Sequence, residues 1–148
     1  MKSKILFVFV PILLLSLLLV GFSHAAKKIV KADGAGTVTI ALSELSPTVN
    51  YFEFSDNGVK IRFFAALGSD KKPRVAFDAC DVCGGLLGYT QRGADIECNK
   101  CGRVFTIDGI GTKNTGYGCW PSYLPFIIKG DKIIIGAEDL KKGKARFL

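Results

Sequence analysis

At 148 residues, 49% of them hydrophobic and 11% aromatic, the chain carries enough apolar material for one folded core, which excludes an intrinsically disordered protein. Its formal charge of +7 is scattered, with short basic pairs only at Lys27-Lys28, Lys71-Lys72 and Lys141-Lys142, so no nucleic-acid partner is expected. The only histidine is His24 and the only methionine is Met1, which removes His-ligated zinc, His/Met haem ligation, blue-copper sites and His-dependent nucleophilic catalysis from the rest of the chain.

Residues 1–25 have the parts of an export signal. Lys2 and Lys4 precede an uncharged apolar run from Ile5 to Phe22, and small residues follow at Ser23 and Ala25. Cleavage after Ala25 is expected. The competing reading is an uncleaved anchor helix, since the 18 residues from Ile5 to Phe22 are long enough to span a bilayer when tilted or kinked at Pro11. No cysteine lies in this segment, so an N-terminal lipid anchor on cysteine is excluded. Either reading makes the chain an exported protein of the cell envelope, at its periplasmic or extracytoplasmic membrane face. Without residues 1–25 the chain keeps 18 basic and 13 acidic side chains, a formal +5 suited to an acidic redox partner or an anionic membrane surface.

Residues 26–36 contain Lys and Gly without a period and are expected to form a tether. From 37 to 148 the signals are those of one all-β domain. Thr37 to Leu42 is β-rich, Asn50 to Ser55 carries Tyr51, Phe52 and Phe54, and Val59 to Ala66 opens with alternation. Asn57-Gly58 between the last two is a two-residue hairpin signal. Gly68-Ser69-Asp70 turns the chain again before a strand from Arg74 to Phe77. Residues 80–111 hold four cysteines and short strand-like pieces around Tyr89, Ile96 and Val104 to Ile107, and are expected to be a loop-rich insertion with little core of its own. Phe126 to Lys129, a turn at Gly130-Asp131 and Lys132 to Ile135 make a last hairpin, and Ala137 to Lys142 has room for one or two helical turns. The expected architecture is a small sandwich or barrel with a cysteine-rich metal-binding loop insertion.

Cys80-Asp81-Val82-Cys83-Gly84 and Cys98-Asn99-Lys100-Cys101-Gly102 are two Cys-x-x-Cys-Gly units separated by 14 residues. Two thiolates three residues apart can turn onto one metal, and a following glycine permits positive φ and leaves its N–H free to approach sulfur. Four thiolates from Cys80, Cys83, Cys98 and Cys101 suit zinc, mononuclear iron or an iron–sulfur cluster, and disfavour calcium, magnesium and manganese. A disulfide framework is the alternative in an oxidising compartment. Five cysteines cannot all pair internally, however, and the chain has a core that needs no staple. A thiol–disulfide oxidoreductase would require a βαβ setting that is not evident here.

The order of these segments resembles a Rieske [2Fe–2S] domain. Arg74-Val75-Ala76-Phe77-Asp78-Ala79-Cys80 leads into a first ligand loop, Cys98-Asn99-Lys100-Cys101-Gly102-Arg103-Val104-Phe105 forms a second, and Pro121-Ser122-Tyr123-Leu124-Pro125 precedes the closing hairpin. Rieske loops supply one Cys and one His each, whereas here Cys83 and Cys101 stand in the histidine places. The chain also resembles the FtrD-like family of membrane iron–sulfur proteins, over roughly Val59 to Asp139. The resemblance is carried by Asp78-Ala79-Cys80-Asp81-Val82-Cys83-Gly84, by Cys98-Asn99-Lys100-Cys101-Gly102-Arg103-Val104-Phe105, by Ile110-Gly111-Thr112-Lys113-Asn114 and by Gly118-Cys119-Trp120-Pro121 with Leu124-Pro125. It implies an iron–sulfur cluster, a [2Fe–2S] centre in the first instance, and work beside a membrane permease or reductase in iron transport or envelope redox chemistry.

Cys119 is open to three readings: a ligand, a redox-sensitive thiol or a small buried hydrophobe. Trp120 is expected either to shield the centre or to sit in the core. Thr112, Lys113 and Asn114 are donors near the centre or parts of a polar turn, and Asp78 and Asp81 are turn caps or a cation site. The chain is expected to be an electron carrier or accessory protein rather than an enzyme. The alternative is a structural zinc site in a ribbon-like interaction module.

Overall fold

The computed structural model describes residues 26–148, and the expected signal or anchor lies outside them. Among the described residues no helix is long and apolar enough to cross a membrane. The strands are β1 (Lys28–Val30), β2 (Thr37–Ala41), β3 (Asn50–Asp56), β4 (Val59–Leu67), β5 (Pro73–Cys80), β6 (Tyr89–Arg92), β7 (Asp95–Cys98), β8 (Val104–Thr106), β9 (Pro121–Tyr123), β10 (Ile127–Lys129) and β11 (Lys132–Gly136), followed by helix α1 (Ala137–Lys142). They form a central sheet ordered β1-β3-β4-β5-β9 and two three-stranded sheets, β10-β11-β2 and β6-β7-β8. Each sheet is open, so the barrel form of the expected all-β architecture is not observed.

Turn chemistry sets the registers. Asn57 and Gly58 both take positive φ, 47° and 79°, and close β3 onto β4 with Asp56 opposite Val59. Backbone with that twist matches the twist of the strands it joins. Gly130, at φ 61°, begins the two-residue turn that pairs Lys129 with Lys132.

The central sheet is buried on both faces, which explains why β4 stops alternating after Phe63. Ile61, Phe63 and Ala65 point into one core, shared with Val38 and Ile40 of β2 and Ile133 and Ile135 of β11. Phe64 and Ala66, from the intervening positions, point into a second core with Tyr89, Ile96, Phe105, Ile107 and Ile110. A strand covered on both sides reads as a continuous apolar run. β5 splits in the same way: Val75, Phe77 and Ala79 join the first core, Ala76 and Cys80 the second.

Two expectations change. Residues 80–111 are not a coreless insertion, because β6, β7 and β8 form a sheet whose apolar face covers the second core. The strands are only three or four residues long, and the aromatic and aliphatic residues that make the face are separated by glycine turns, so no period announces it. The expected tether also contains structure. Lys28–Val30 adds to the free edge of β3 in parallel, Ile29 opposite Glu53, while Val30 and Ala32 pack against the first core.

Candidate metal centre

Both Cys-x-x-Cys-Gly units begin at the end of a strand and fold into the same loop. Cys80 ends β5, and the Gly84 N–H donates to the Cys80 carbonyl at 2.8 Å while the Cys80 N–H donates to the Gly84 carbonyl at 3.0 Å. Cys98 ends β7, and the Gly102 N–H donates to the Cys98 carbonyl at 2.8 Å. Gly84 and Gly102 have φ of 76° and 70°, the conformation for which glycine is the permissive residue. The repeated motif is therefore a repeated structure, placed on two different sheets that share the second core.

A third loop, between β8 and β9, is fastened to the first. The Asp81 N–H donates to the Trp120 carbonyl at 3.0 Å, and the Asn114 side chain donates to both Asp81 Oδ2 (3.1 Å) and the Gly118 carbonyl (2.9 Å). The Trp120 indole donates to the Thr112 carbonyl and stacks edge-on against Phe105. Of the two readings of Trp120, the packing supports the core one, since its ring is partly buried against the second core. Asn114 and Thr112 organise this loop. Asp81, which also accepts from Ser122 Oγ at 2.6 Å, ties the first loop to it.

This fastening brings Cys119 into the centre. Its sulfur lies 3.9 Å from Cys83 Sγ and 3.7 Å from Cys101 Sγ. The sulfurs of Cys80, Cys83 and Cys119 all lie within 4.8 Å of one another, as do those of Cys83, Cys98 and Cys101. The four expected residues converge, therefore, and a fifth joins them. The sulfurs form a band in which Cys80 and Cys98 belong to different triads, joined through Cys83 and through the Cys101–Cys119 contact. All five thiols are free. Two thiolates on one tetrahedral ion, with metal–sulfur bonds of about 2.3 Å, stand about 3.8 Å apart, whereas a disulfide requires about 2.05 Å. The 3.9 and 3.7 Å separations are too long for a disulfide and fit sulfurs that could share an ion. Solvent access is graded along the band: Cys80 and Cys98 are 1% and 2% exposed, Cys83 and Cys119 are half-buried, and Cys101 is exposed.

Electrostatics separate the sulfurs further. Burial opposes ionisation of Cys80, but the N–H groups of Cys83 and Val82 and the Tyr89 hydroxyl overcome it and hold the thiol down at about 7. The Arg103 N–H lowers Cys101. Desolvation and then the crowding of Cys101, Cys119 and Cys80 push Cys83 up, and hydrogen bonding with Cys80 and Cys101 raises Cys119. Tyr89 supplies a second sign of what the site is built for. Its hydroxyl is buried with no hydrogen-bond partner, and the sulfurs of Cys80, Cys98 and Cys119 near it oppose its ionisation. A buried, unpartnered donor beside these sulfurs suits thiolates that stay charged.

Asp78 belongs to the scaffold. It is 4% exposed, accepts the Tyr89 N–H at 2.7 Å and pairs with Arg62 at 3.7 Å. Arg62 in turn donates to the Gly85 and Leu86 carbonyls, holding the exit of the first loop. Sequence reasoning did not single out Tyr89 or Arg62. The alternation of β4 placed Arg62 on an outward face, and only the path of the loop after Cys83 gives it a partner.

The model of the family described as membrane iron-sulfur containing protein FtrD-like matches residues 46–147, a span that includes both Cys-x-x-Cys-Gly loops, the Cys119 loop and the strands that carry them. No curated protein and no solved structure matches the chain. With most of its length and its entire sulfur band inside that match, the chain belongs to the FtrD-like family of membrane iron–sulfur proteins.

Proposed function

We propose that this protein is an exported electron carrier or accessory component of the cell envelope, whose Cys80, Cys83, Cys98 and Cys101 hold a [2Fe–2S] cluster on a Rieske-like β scaffold. The observation that supports the reading is that Cys80 and Cys98 fall in different sulfur triads, which share Cys83. A single tetrahedral ion requires four sulfurs all about 3.8 Å from one another, whereas a dinuclear cluster takes a separate pair at each end. Cys80 and Cys98, in different triads and each at the end of a strand, are placed to begin those pairs. When bound, such a cluster supplies one-electron transfer. The chain's own residues position the sulfurs, donate to them from the N–H groups of Val82, Cys83 and Arg103, and keep water from the inner side with Tyr89, Phe105 and Trp120. The exposed Cys101 gives electrons a short path to a partner at the surface, for which a membrane permease or reductase in iron handling is the proposed class. The family's membrane description and the apolar residues 1–25 support the envelope location.

Anaerobic purification from the envelope, followed by iron, zinc and acid-labile sulfide analysis, tests this. Equal iron and sulfide with visible absorption is expected. A colourless zinc protein would replace the reading with a structural site, and iron without sulfide would make it a mononuclear centre. The reduction potential offers a second check. Residues 26–148 contain no histidine, so no ligand proton is exchanged on oxidation. The potential is expected to be nearly constant from neutral to alkaline pH and to lie nearer the roughly −400 mV of plant-type ferredoxins than the Rieske range. Voltammetry over a pH series that returned a positive potential falling with alkaline pH would overturn the thiolate ligand set.

A further inference from the structure

We infer that Cys119 is an exchangeable ligand of the centre, competing with Cys83 for the metal ion that Cys80 holds. The inference rests on the metal-binding reading above but goes beyond it, since a four-thiolate cluster leaves one of the five converging sulfurs over. Cys119 occupies the same triad as Cys80 and Cys83. The Cys83 and Cys119 sulfurs lie 3.9 Å apart and each within 4.8 Å of the Cys80 sulfur, so either one reaches the position beside Cys80 with a side-chain adjustment alone. No backbone rearrangement is needed, because the first loop and the Cys119 loop are already joined through Asp81, Asn114 and Trp120. Burial divides the roles: the inner sulfurs of Cys80 and Cys98 are sealed in the core, while Cys83 and Cys119 are both half-buried.

Room for the Cys119 sulfur to withdraw while Cys83 is bound exists on its own side. A cavity of about 380 Å³ opens there, lined by Cys119, Trp120, Arg103, Lys113 and Tyr117 among others. The exchange is a ligand substitution that moves no electrons. The Cys119 thiol gives its proton to solvent as its sulfur–metal bond forms, the bond from Cys83 breaks, and the Cys83 sulfur takes up a proton. A centre built this way opens and recloses one coordination position without ever baring the metal, a property suited to accepting or passing on an ion.

The test uses the full chain purified anaerobically, with alkylation by iodoacetamide of the metal-loaded protein and mass spectrometric mapping of the label. Wild-type label is expected to divide between Cys83 and Cys119 and to be absent from Cys80 and Cys98. Label on Cys119 alone, or on Cys80, Cys98 or Cys101, overturns the exchange. Cys83→Ser and Cys119→Ser are each expected to retain the wild-type metal content with a shifted visible spectrum, whereas the double variant loses the metal. Loss in either single variant, or retention in the double, overturns it too. Should the wild-type protein contain zinc in place of iron and sulfide, the cluster reading fails while the same series, read on zinc content, still decides the exchange.

Discussion

Arg62 and Asp78 show how a single pair supports the centre without touching it. Burial pushes the Asp78 carboxyl up to about 6, against the pull of the Tyr89 N–H, Arg62 and Lys27. Removing the guanidinium would leave the buried carboxylate with the Tyr89 N–H but no adjacent counter-charge, and two carbonyls of the first loop without a donor. Arg62→Ala is therefore expected to cost about 3 kcal/mol of stability, measured by urea unfolding. Asp108 acts at the surface and in the opposite sense. It accepts from the Ser69 hydroxyl and N–H, both at 2.7 Å, which hold its pKa below the ordinary aspartate value. A carboxylate with a depressed folded pKa contributes stability that is present above its unfolded value, near 3.8, and is lost as pH falls through the folded one. Asp108→Asn is expected to remove that contribution at neutral pH while changing little in strong acid, so the acid limb of the stability curve flattens, which thermal melts from neutral to strongly acidic solution would show.

At the scale of the element, the ligand loops depend on glycine conformation in unequal degree. Gly102 has φ 70° with open space where a Cβ would stand, so Gly102→Ala should cost only the left-handed backbone penalty, about 1 kcal/mol. Gly88, just before β6, has φ 64° and would place a Cβ 2.4 Å from Asp78 Oδ1. Gly88→Ala adds a collision with a buried ion pair to the same penalty and is expected to cost about 3 kcal/mol. Comparing the two variants by chemical denaturation separates backbone strain from packing; equal losses would show that the Asp78 contact is not tight. The alternation of buried positions in β4 and β5 belongs here as well, because it delivers Phe77 and Cys80 to opposite cores and so seats the first ligand against the sheet that carries the second loop.

For the whole molecule, the structured β6-β7-β8 layer decides what metal removal does. Its face buries Tyr89, Ile96 and Phe105 against Phe64 and Ala76 of the central sheet, a contact made by side chains other than the cysteines. Chelation is expected to loosen the loops at residues 81–88 and 99–103 and the segment at 112–119, leaving the strands protected. Limited proteolysis should cut there first and spare β7. Early cleavage within Asp95–Cys98 would show instead that the metal holds the layer in place.

Much of this protein is written locally and was legible as such. Asn57-Gly58 and Gly130-Asp131 fix two hairpins by backbone preference alone, and Cys-x-x-Cys-Gly, repeated, fixes two ligand loops, because both are determined by residues within a few positions of one another. The covering of the central sheet on both faces left only an unbroken apolar run in β4, which does not say what covers it. Cys119 is the clearest case of a tertiary decision. It lies 18 residues from Cys101 and 36 from Cys83, with no partner cysteine at ligand spacing, so its sequence is equally compatible with a core thiol. The hydrogen bonds that Asp81 accepts from Asn114 and donates to the Trp120 carbonyl carry it beside the other sulfurs, and Tyr89 and Arg62 acquire their roles in the same way, through neighbours that only the packed sheets bring within reach.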